Sequence, residues 1–264
     1  MAVSADGERW VLLNAAPELS IQILRTPALH PKRDGRHSPI AAVVVTGGEI
    51  DAILGLLSLR EGHSFALYAA PDVLDVLTAN PIFAALPEPR VRRHALQLDH
   101  VTSLFDTEGV SLGLSVRAFA VPGKIPLFAE MGSDPGRSDD GATIGLEISA
   151  HGTSMFFIPG CAAMTDGLRE RLRGAELVLF DGTLWQDDEM IAAHLSNKTG
   201  ARMGHMSISG PDGAMAAFDG LDVRRRVFIH LNNTNPALLA CSPERAELRV
   251  QGWEVAFDGM ELMA

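Results

Sequence analysis

Four apolar runs in this chain each end in groups able to hold a metal or move a proton. Val43-Val44-Val45 leads through Thr46-Gly47-Gly48 to Glu49 and Asp51, and Phe156-Phe157-Ile158 leads to Pro159-Gly160-Cys161. Leu177-Val178-Leu179-Phe180 ends in Asp181, and Val227-Phe228-Ile229 ends in His230. His205 follows Gly204 in a glycine-punctuated stretch between the last two. Polar groups just past buried strands sit at a sheet's rim, where α/β proteins collect ligands. Two imidazoles with two or three carboxylates form a hard-to-borderline donor set, suited to Fe(II), Mn or Zn.

Each of these residues also has an ordinary structural use. Asp51 suits the positive start of a helix, Glu49 serves as a first-turn acid, and Asp181 before Gly182-Thr183 serves as a turn former. His205 and His230 fit equally as hydrogen-bonded structural histidines. Cys161 reads as a small turn residue rather than a nucleophile, since no helix start or neighbouring cation lowers its pKa. The amides of Asn232-Asn233-Thr234-Asn235-Pro236 can orient a ligand or hold a sharp turn, with the turn slightly favoured. There is no phosphate loop, nucleophile elbow or dinucleotide glycine fingerprint.

The elements that must position these groups alternate along the chain. Strands are expected at Arg9 to Asn14, Ile40 to Val45 and Phe65 to Ala69. Helices are expected from Pro17 to Leu24, from Glu49 to Glu61 with Gly62 as its cap, and from Pro71 onward. Thr26 to Ser38 reads as a loop. Val110 to Ala120 and Ala142 to Ile158 read as β, the second a hairpin turning at His151-Gly152. Gly123 to Arg137 reads as a surface loop. A second alternating half follows: helix Met164 to Arg173, strand Glu176 to Phe180, helix Asp212 to Phe218. Strand Arg226 to Leu231, helix Pro243 to Val250 and a closing strand Trp253 to Phe257 complete it. Two sheets between helices fit this order better than one open parallel sheet.

With 264 residues, 47% of them apolar, the chain can build one large α/β domain or two small ones. A net charge of −11 argues against a nucleic-acid partner, whose backbone demands a basic face. No run is apolar enough to span a bilayer and no leader opens the sequence, so a cytoplasmic protein without a membrane segment is expected. Two widely spaced cysteines, Cys161 and Cys241, exclude a disulfide scaffold and a cysteine-type zinc site within the chain.

Nine segments, in order along most of the chain, resemble the coenzyme PQQ synthesis protein B family of the metallo-β-lactamase superfamily. They are Leu12-Leu13-Asn14-Ala15-Ala16-Pro17, Arg36-His37-Ser38-Pro39-Ile40, Leu56-Leu57-Ser58-Leu59-Arg60-Glu61-Gly62 and Val121-Pro122-Gly123-Lys124. Ile158-Pro159-Gly160-Cys161, Leu179-Phe180-Asp181-Gly182-Thr183 and Lys198-Thr199-Gly200 continue the match. Met203-Gly204-His205-Met206 and His230-Leu231-Asn232-Asn233-Thr234-Asn235-Pro236 close it.

The resemblance implies one α/β domain over residues 1–264, a four-layer αββα sandwich of two mixed sheets flanked by helices. It implies a role in making pyrroloquinoline quinone (PQQ), with iron, or else zinc, at the site. The reaction it suggests is hydroxylation of the tyrosine in a cross-linked glutamate–tyrosine, peptide-derived precursor. The alternatives are a carrier or export factor for PQQ or its precursor, and a paralogue that binds no metal. On this reading Asp51, Asp181, His205 and His230 are catalytic metal ligands, Glu49 is a further ligand, and Asn232, Asn233 and Arg60 contact substrate.

Two departures from the family pattern carry expectations of their own. Where the family reads Asn-Gly-Asp-x-Asp-His, this chain has Gly47-Gly48-Glu49-Ile50-Asp51-Ala52, so Ala52 stands in place of a histidine ligand and metal affinity should be weakened. The family's first strand and cysteine cluster are also absent. The strand Arg9 to Asn14 should then show an unpaired edge to water, to a loop, or to a second subunit in a homodimer. The apolar Val11, Leu12 and Leu13 favour the homodimer.

Overall fold

The computed structural model describes residues 1–124 and 143–263. Its contacts group into two compact units: Met1–Ala118 with Ile148–Gly152, and Phe119–Lys124 with residues 143–147 and 153–263.

A five-stranded sheet belongs to the first unit, in the order β1 (Ala2–Val3), β2 (Trp10–Leu13), β3 (Ile40–Val45), β4 (Phe65–Ala69), β5 (Val91–Ala95). The β1–β2 pair is antiparallel and β2 through β5 run parallel, so the sheet is mixed. β4 is buried along its whole length and β3 at all but Ala41, as expected of parallel strands covered on both faces. β5 escapes a reading by apolar pattern because only Val91 is buried; its Arg92, Arg93 and His94 give the charged character of an edge strand. The edge of β2 is not bare. β1 pairs with it, and the Leu13 amide donates to the Met1 carbonyl at 2.8 Å, so the unpaired edge expected there is corrected.

α1 spans Leu19–Arg25. The helix expected over Glu49 to Glu61 is shorter: α2 covers Ile50–Ile53, and a 3-10 turn covers Leu54–Leu59. The cause is local. The Ala52 carbonyl, which an α-helix would offer to Leu56, accepts instead from the Ala15 amide at 2.7 Å, while the Gly55 amide donates to the Ala15 carbonyl at 2.8 Å. That close approach requires glycine, since a Cβ on Gly55 would lie 2.0 Å from the Ala16 carbonyl oxygen. Gly62 stops the segment at φ +91° as expected. α3 (Pro71–Ala79) opens on its proline.

A seven-stranded sheet has the order β12 (Trp253–Val255), β11 (Arg225–Ile229), β10 (Leu177–Asp181), β9 (Thr153–Ile158), β8 (Ile144–Ala150), β7 (Ser111–Ala120), β6 (Val101–Phe105). β6 and β7 are antiparallel, whereas β9 through β12 are parallel. The β8–β9 hairpin turns at His151 (φ +51°) and Gly152 (φ +85°), the paired left-handed residues of a tight hairpin. Most of the expected Gly123 to Arg137 loop lies outside the described residues.

In the second unit α4 (Asp166–Leu172) begins after Thr165, whose hydroxyl accepts from the Leu168 amide. α5 (Glu189–Ala192), α6 (Gly200–Met203) and α7 (Ala214–Ala217) are single turns, and α8 spans Pro243–Val250. The core beneath them is aromatic. Phe228 stacks on Trp253 with centroids 3.9 Å apart, Phe218 meets Trp253 edge-on at 4.9 Å, and Phe180 meets Phe218 edge-on at 5.0 Å. No helix among the described residues is long and apolar enough to cross a membrane.

Candidate metal centre

Because β9, β10 and β11 are parallel and in register, their C-terminal ends share one rim of the sheet. Phe180 pairs with Ile158, and Asp181 with Ile229, so the residues that follow arrive side by side. Cys161 comes from the end of β9, Asp181 from the last position of β10 and His230 from just past β11. This is the part of a parallel sheet where ligands gather.

Two short turns complete the arrangement. Thr199 caps α6 by accepting from the Arg202 amide at 3.2 Å, and Gly204 ends it at φ +90°, where its amide bonds back to Ala201. That left-handed stop places His205 beside the strand ends. Its neighbour Met206 is tied to the Cys161 carbonyl at 2.7 Å. His230 itself adopts φ +57°, an uncommon conformation for a residue with a side chain and one that gathers at functional sites. The Gly182 amide donates to the Ile229 carbonyl at 2.8 Å, and a Cβ on Gly182 would meet Phe228 Cβ at 2.9 Å. Only glycine fits the turn between Asp181 and Thr183.

Asp181, His205 and His230 each offer a ligand-type atom, all within 4.8 Å of one another, and no other such group of three occurs among the described residues. The rings of His205 and His230 lie 5.4 Å apart in a stacked arrangement. Their side chains are 20% and 36% exposed, whereas Asp181 is fully buried. Burial by itself would raise the Asp181 carboxyl pKa. The attraction and hydrogen bond of the His205 ring, followed by those of His230, outweigh that and hold it well below the usual carboxylate range.

Four polar side chains are buried among the described residues, and three of them, Asp181, Thr183 and Asn235, belong to this site. Each is satisfied. Asp181 Oδ1 accepts from the Thr183 amide (3.1 Å) and hydroxyl (2.6 Å); Oδ2 accepts from the Cys161 amide (3.0 Å) and meets His205 Nδ1 at 2.7 Å. Asn235 donates to the Gly182 carbonyl at 2.9 Å and accepts from the Ala237 amide at 3.0 Å. The asparagine run is thus the turn that sequence favoured, and it clamps the Gly182-Thr183 loop. Its neighbour Asn232 gives its side-chain amide to Thr234 at 2.7 Å, while Asn233 is exposed.

Thr183 and Asn235 fall within the segments that resemble the family, but the sequence assigns neither a part in the site. Burial at the foot of a strand-end turn is their only signal, and it is visible in the fold alone. Cys161 matches its reading as a turn residue, its thiol pushed up to about 12 by burial, then by the Asp181 charge.

The remaining candidates lie in the first unit. Glu49 is the N-cap residue of α2 and Asp51 is an exposed acid of its first turn, the position that favours negative charge. Ala52 is buried. Asn14 clamps the end of β3, its carbonyl oxygen accepting from the Thr46 amide at 2.8 Å. Arg60 donates to the Leu57 carbonyl at 2.9 Å and pairs with Glu61 at the surface.

Comparison with known proteins accords with this geometry. The β-lactamase superfamily domain matches residues 9–231. Coenzyme PQQ synthesis protein B of Gluconacetobacter diazotrophicus is 55% identical over 263 residues, covering 99% of this chain and 86% of that protein. Its counterpart in Xanthomonas axonopodis pv. citri is 56% identical over 264 residues, with the same coverage. The crystal structure of Zn(2+)-bound PqqB from Methylobacterium extorquens superposes with a TM-score of 0.94 at 45% identity, covering 100% of this chain and 86% of that one. A diphosphatase of the PhnP family, at 20% identity and a TM-score of 0.65, shares the fold. The chain therefore has the metallo-β-lactamase fold, two mixed sheets with flanking helices, and belongs to the coenzyme PQQ synthesis protein B family of that superfamily.

Proposed function

We propose that this chain acts in PQQ biosynthesis as an iron-dependent oxygenase that hydroxylates the tyrosine of the cross-linked glutamate–tyrosine precursor. The observation that carries the reading is the convergence of two imidazoles and one carboxylate at the rim of a parallel sheet. Two histidines with one carboxylate and open positions suit Fe(II) used with oxygen, and the same donors accept zinc. The residues present fit such an ion: both rings reach toward solvent while the carboxylate behind them is buried and fully hydrogen-bonded.

Iron held there supplies the activation of oxygen. The chain's own residues do the rest. His205, His230 and Asp181 are proposed to hold the ion, with Asp51 and Glu49 as further carboxylates of the set. Asn232, Asn233 and Arg60 are proposed to contact the precursor, whose carboxylates suit amide donors and a guanidinium.

Anaerobically purified protein tests this. Iron should be found near one per chain. A glutamate–tyrosine cross-linked peptide should gain one oxygen atom on its phenol ring when air and a two-electron reductant such as ascorbate are supplied, the second atom of dioxygen leaving as water. Variants His205→Ala and His230→Ala should retain neither metal nor activity. Folded wild-type protein that binds PQQ yet takes up no metal would replace the oxygenase by a carrier.

A further inference from the structure

We infer that Thr183 is a positioning residue that holds His205 and His230 as their Nδ1–H tautomers, making the Nε2 atoms of both rings the ones that bind metal. This rests on the metal-dependent reading above.

The argument is a count of protons. Thr183 Oγ1 has three polar neighbours: Asp181 Oδ1 at 2.6 Å, His230 Nδ1 at 2.9 Å and His205 Nδ1 at 3.0 Å. A hydroxyl carries one hydrogen and two lone pairs. Asp181 is a buried acceptor with two backbone amides aimed at it, from Cys161 and Thr183, so it offers no hydrogen of its own. The hydroxyl hydrogen therefore goes to Asp181, along the shortest of the three contacts. Both imidazole nitrogens then face the hydroxyl's lone pairs, and each needs a hydrogen to make its contact attractive. His205 has a second reason, because its Nδ1 also lies 2.7 Å from Asp181 Oδ2. In a neutral imidazole with Nδ1 protonated, the lone pair is on Nε2.

Asp181 is committed in the same way. Its four acceptor sites take the Thr183 amide, the Thr183 hydroxyl, the Cys161 amide and the His205 ring. A metal ion could use this carboxylate only by displacing one of them. One hydroxyl thus serves both rings at once, in the role that carboxylates and carbonyls behind metal-bound histidines commonly fill.

The test compares metal-free wild type, Thr183→Ser and Thr183→Val, each labelled with ¹⁵N in the histidine rings and assigned through His205→Gln and His230→Gln. At a pH where the rings are neutral, wild type and Thr183→Ser should show both as Nδ1–H, and Thr183→Val should shift at least one toward Nε2–H. Zinc affinity should fall about 10–100-fold in Thr183→Val and recover in Thr183→Ser. Nε2–H rings in wild type would overturn the inference, as would a Thr183→Val protein with unchanged tautomers and zinc affinity. Correct tautomers in a wild-type protein that binds no metal would uphold the role of Thr183 in fixing the rings but overturn Nε2 ligation together with the oxygenase reading.

Discussion

Asp181 Oδ2 and His205 Nδ1 lie 2.7 Å apart, pairing a carboxylate with no exposed surface to a ring that reaches solvent. The contact joins the aromatic interior of the second unit to the rim where chemistry is possible. Its value to stability lies mainly in what would be stranded without it.

Replacing Asp181 by alanine removes the acceptor for the Cys161 amide, the Thr183 amide and hydroxyl, and the His205 ring together. Stranding several buried donors costs about 3–5 kcal/mol, as breaking a buried charge pair does. Urea unfolding of metal-free protein should show this loss for Asp181→Ala, and a change below about 1 kcal/mol would mean that water fills the gap.

Asn235 makes a milder version of the same claim. Asn235→Ala deletes the bonds to the Gly182 carbonyl and the Ala237 amide in a place water cannot enter. A loss of about 1–3 kcal/mol is expected. Because the same turn carries Thr183, zinc affinity measured on the folded variant should fall too. Loss of stability with unaltered zinc binding would separate the turn from the site.

Much of this was readable from the chain, for reasons that differ between residues. Asp181 and His230 announce themselves because each ends an apolar run, and parallel pairing turns that sequential fact into a spatial one. His205 sits in a turn of glycine and short helix, so only its residue type gave it away. Thr183 and Asn235 were invisible as individuals, since threonine and asparagine near a turn are common and their burial depends on partners more than forty residues distant. The α2 segment misled for the same reason. Its helical spacing is real, but a contact with Ala15 takes the carbonyl that the next turn needed. β5, with one buried side chain, left no pattern to read.

That contact gives a sharp test at Gly55. Alanine there would place its methyl group 2.0 Å from the Ala16 carbonyl oxygen and 2.8 Å from the Ala15 carbonyl, both backbone atoms unable to swing aside. Gly55→Ala should destabilise by about 3 kcal/mol or more, toward the upper end for an overpacked site. A thermal melt unchanged from wild type would show that the strand-to-turn connection yields easily.

Thiol labelling checks the surroundings of Asp181 without mutation. Cys241 is exposed, whereas Cys161 is fully buried and its thiol, pushed up to about 12, supplies almost no thiolate at pH 8. Native protein should take one equivalent of an alkylating reagent and unfolded protein two. Rapid modification of Cys161 in native protein would require the strand ends around Asp181 to open readily.

The final test concerns Ala52, which the family resemblance sets in place of a histidine ligand. Its side chain is buried within α2, and its carbonyl is held by the Ala15 amide. Introducing imidazole there enlarges a filled position, which costs about 1–3 kcal/mol and should lower the melting temperature of metal-free Ala52→His by a few degrees. If position 52 serves the metal, the added ligand should reverse the sign once ions are present. Iron or zinc would then bind more tightly than to wild type and raise the variant's melting temperature by more than they raise the wild type's, since binding to the folded state alone is stabilising. A folded Ala52→His protein with wild-type metal affinity would mean that this position does not face the ion. The alanine would then be a harmless departure from the family rather than a weakened site.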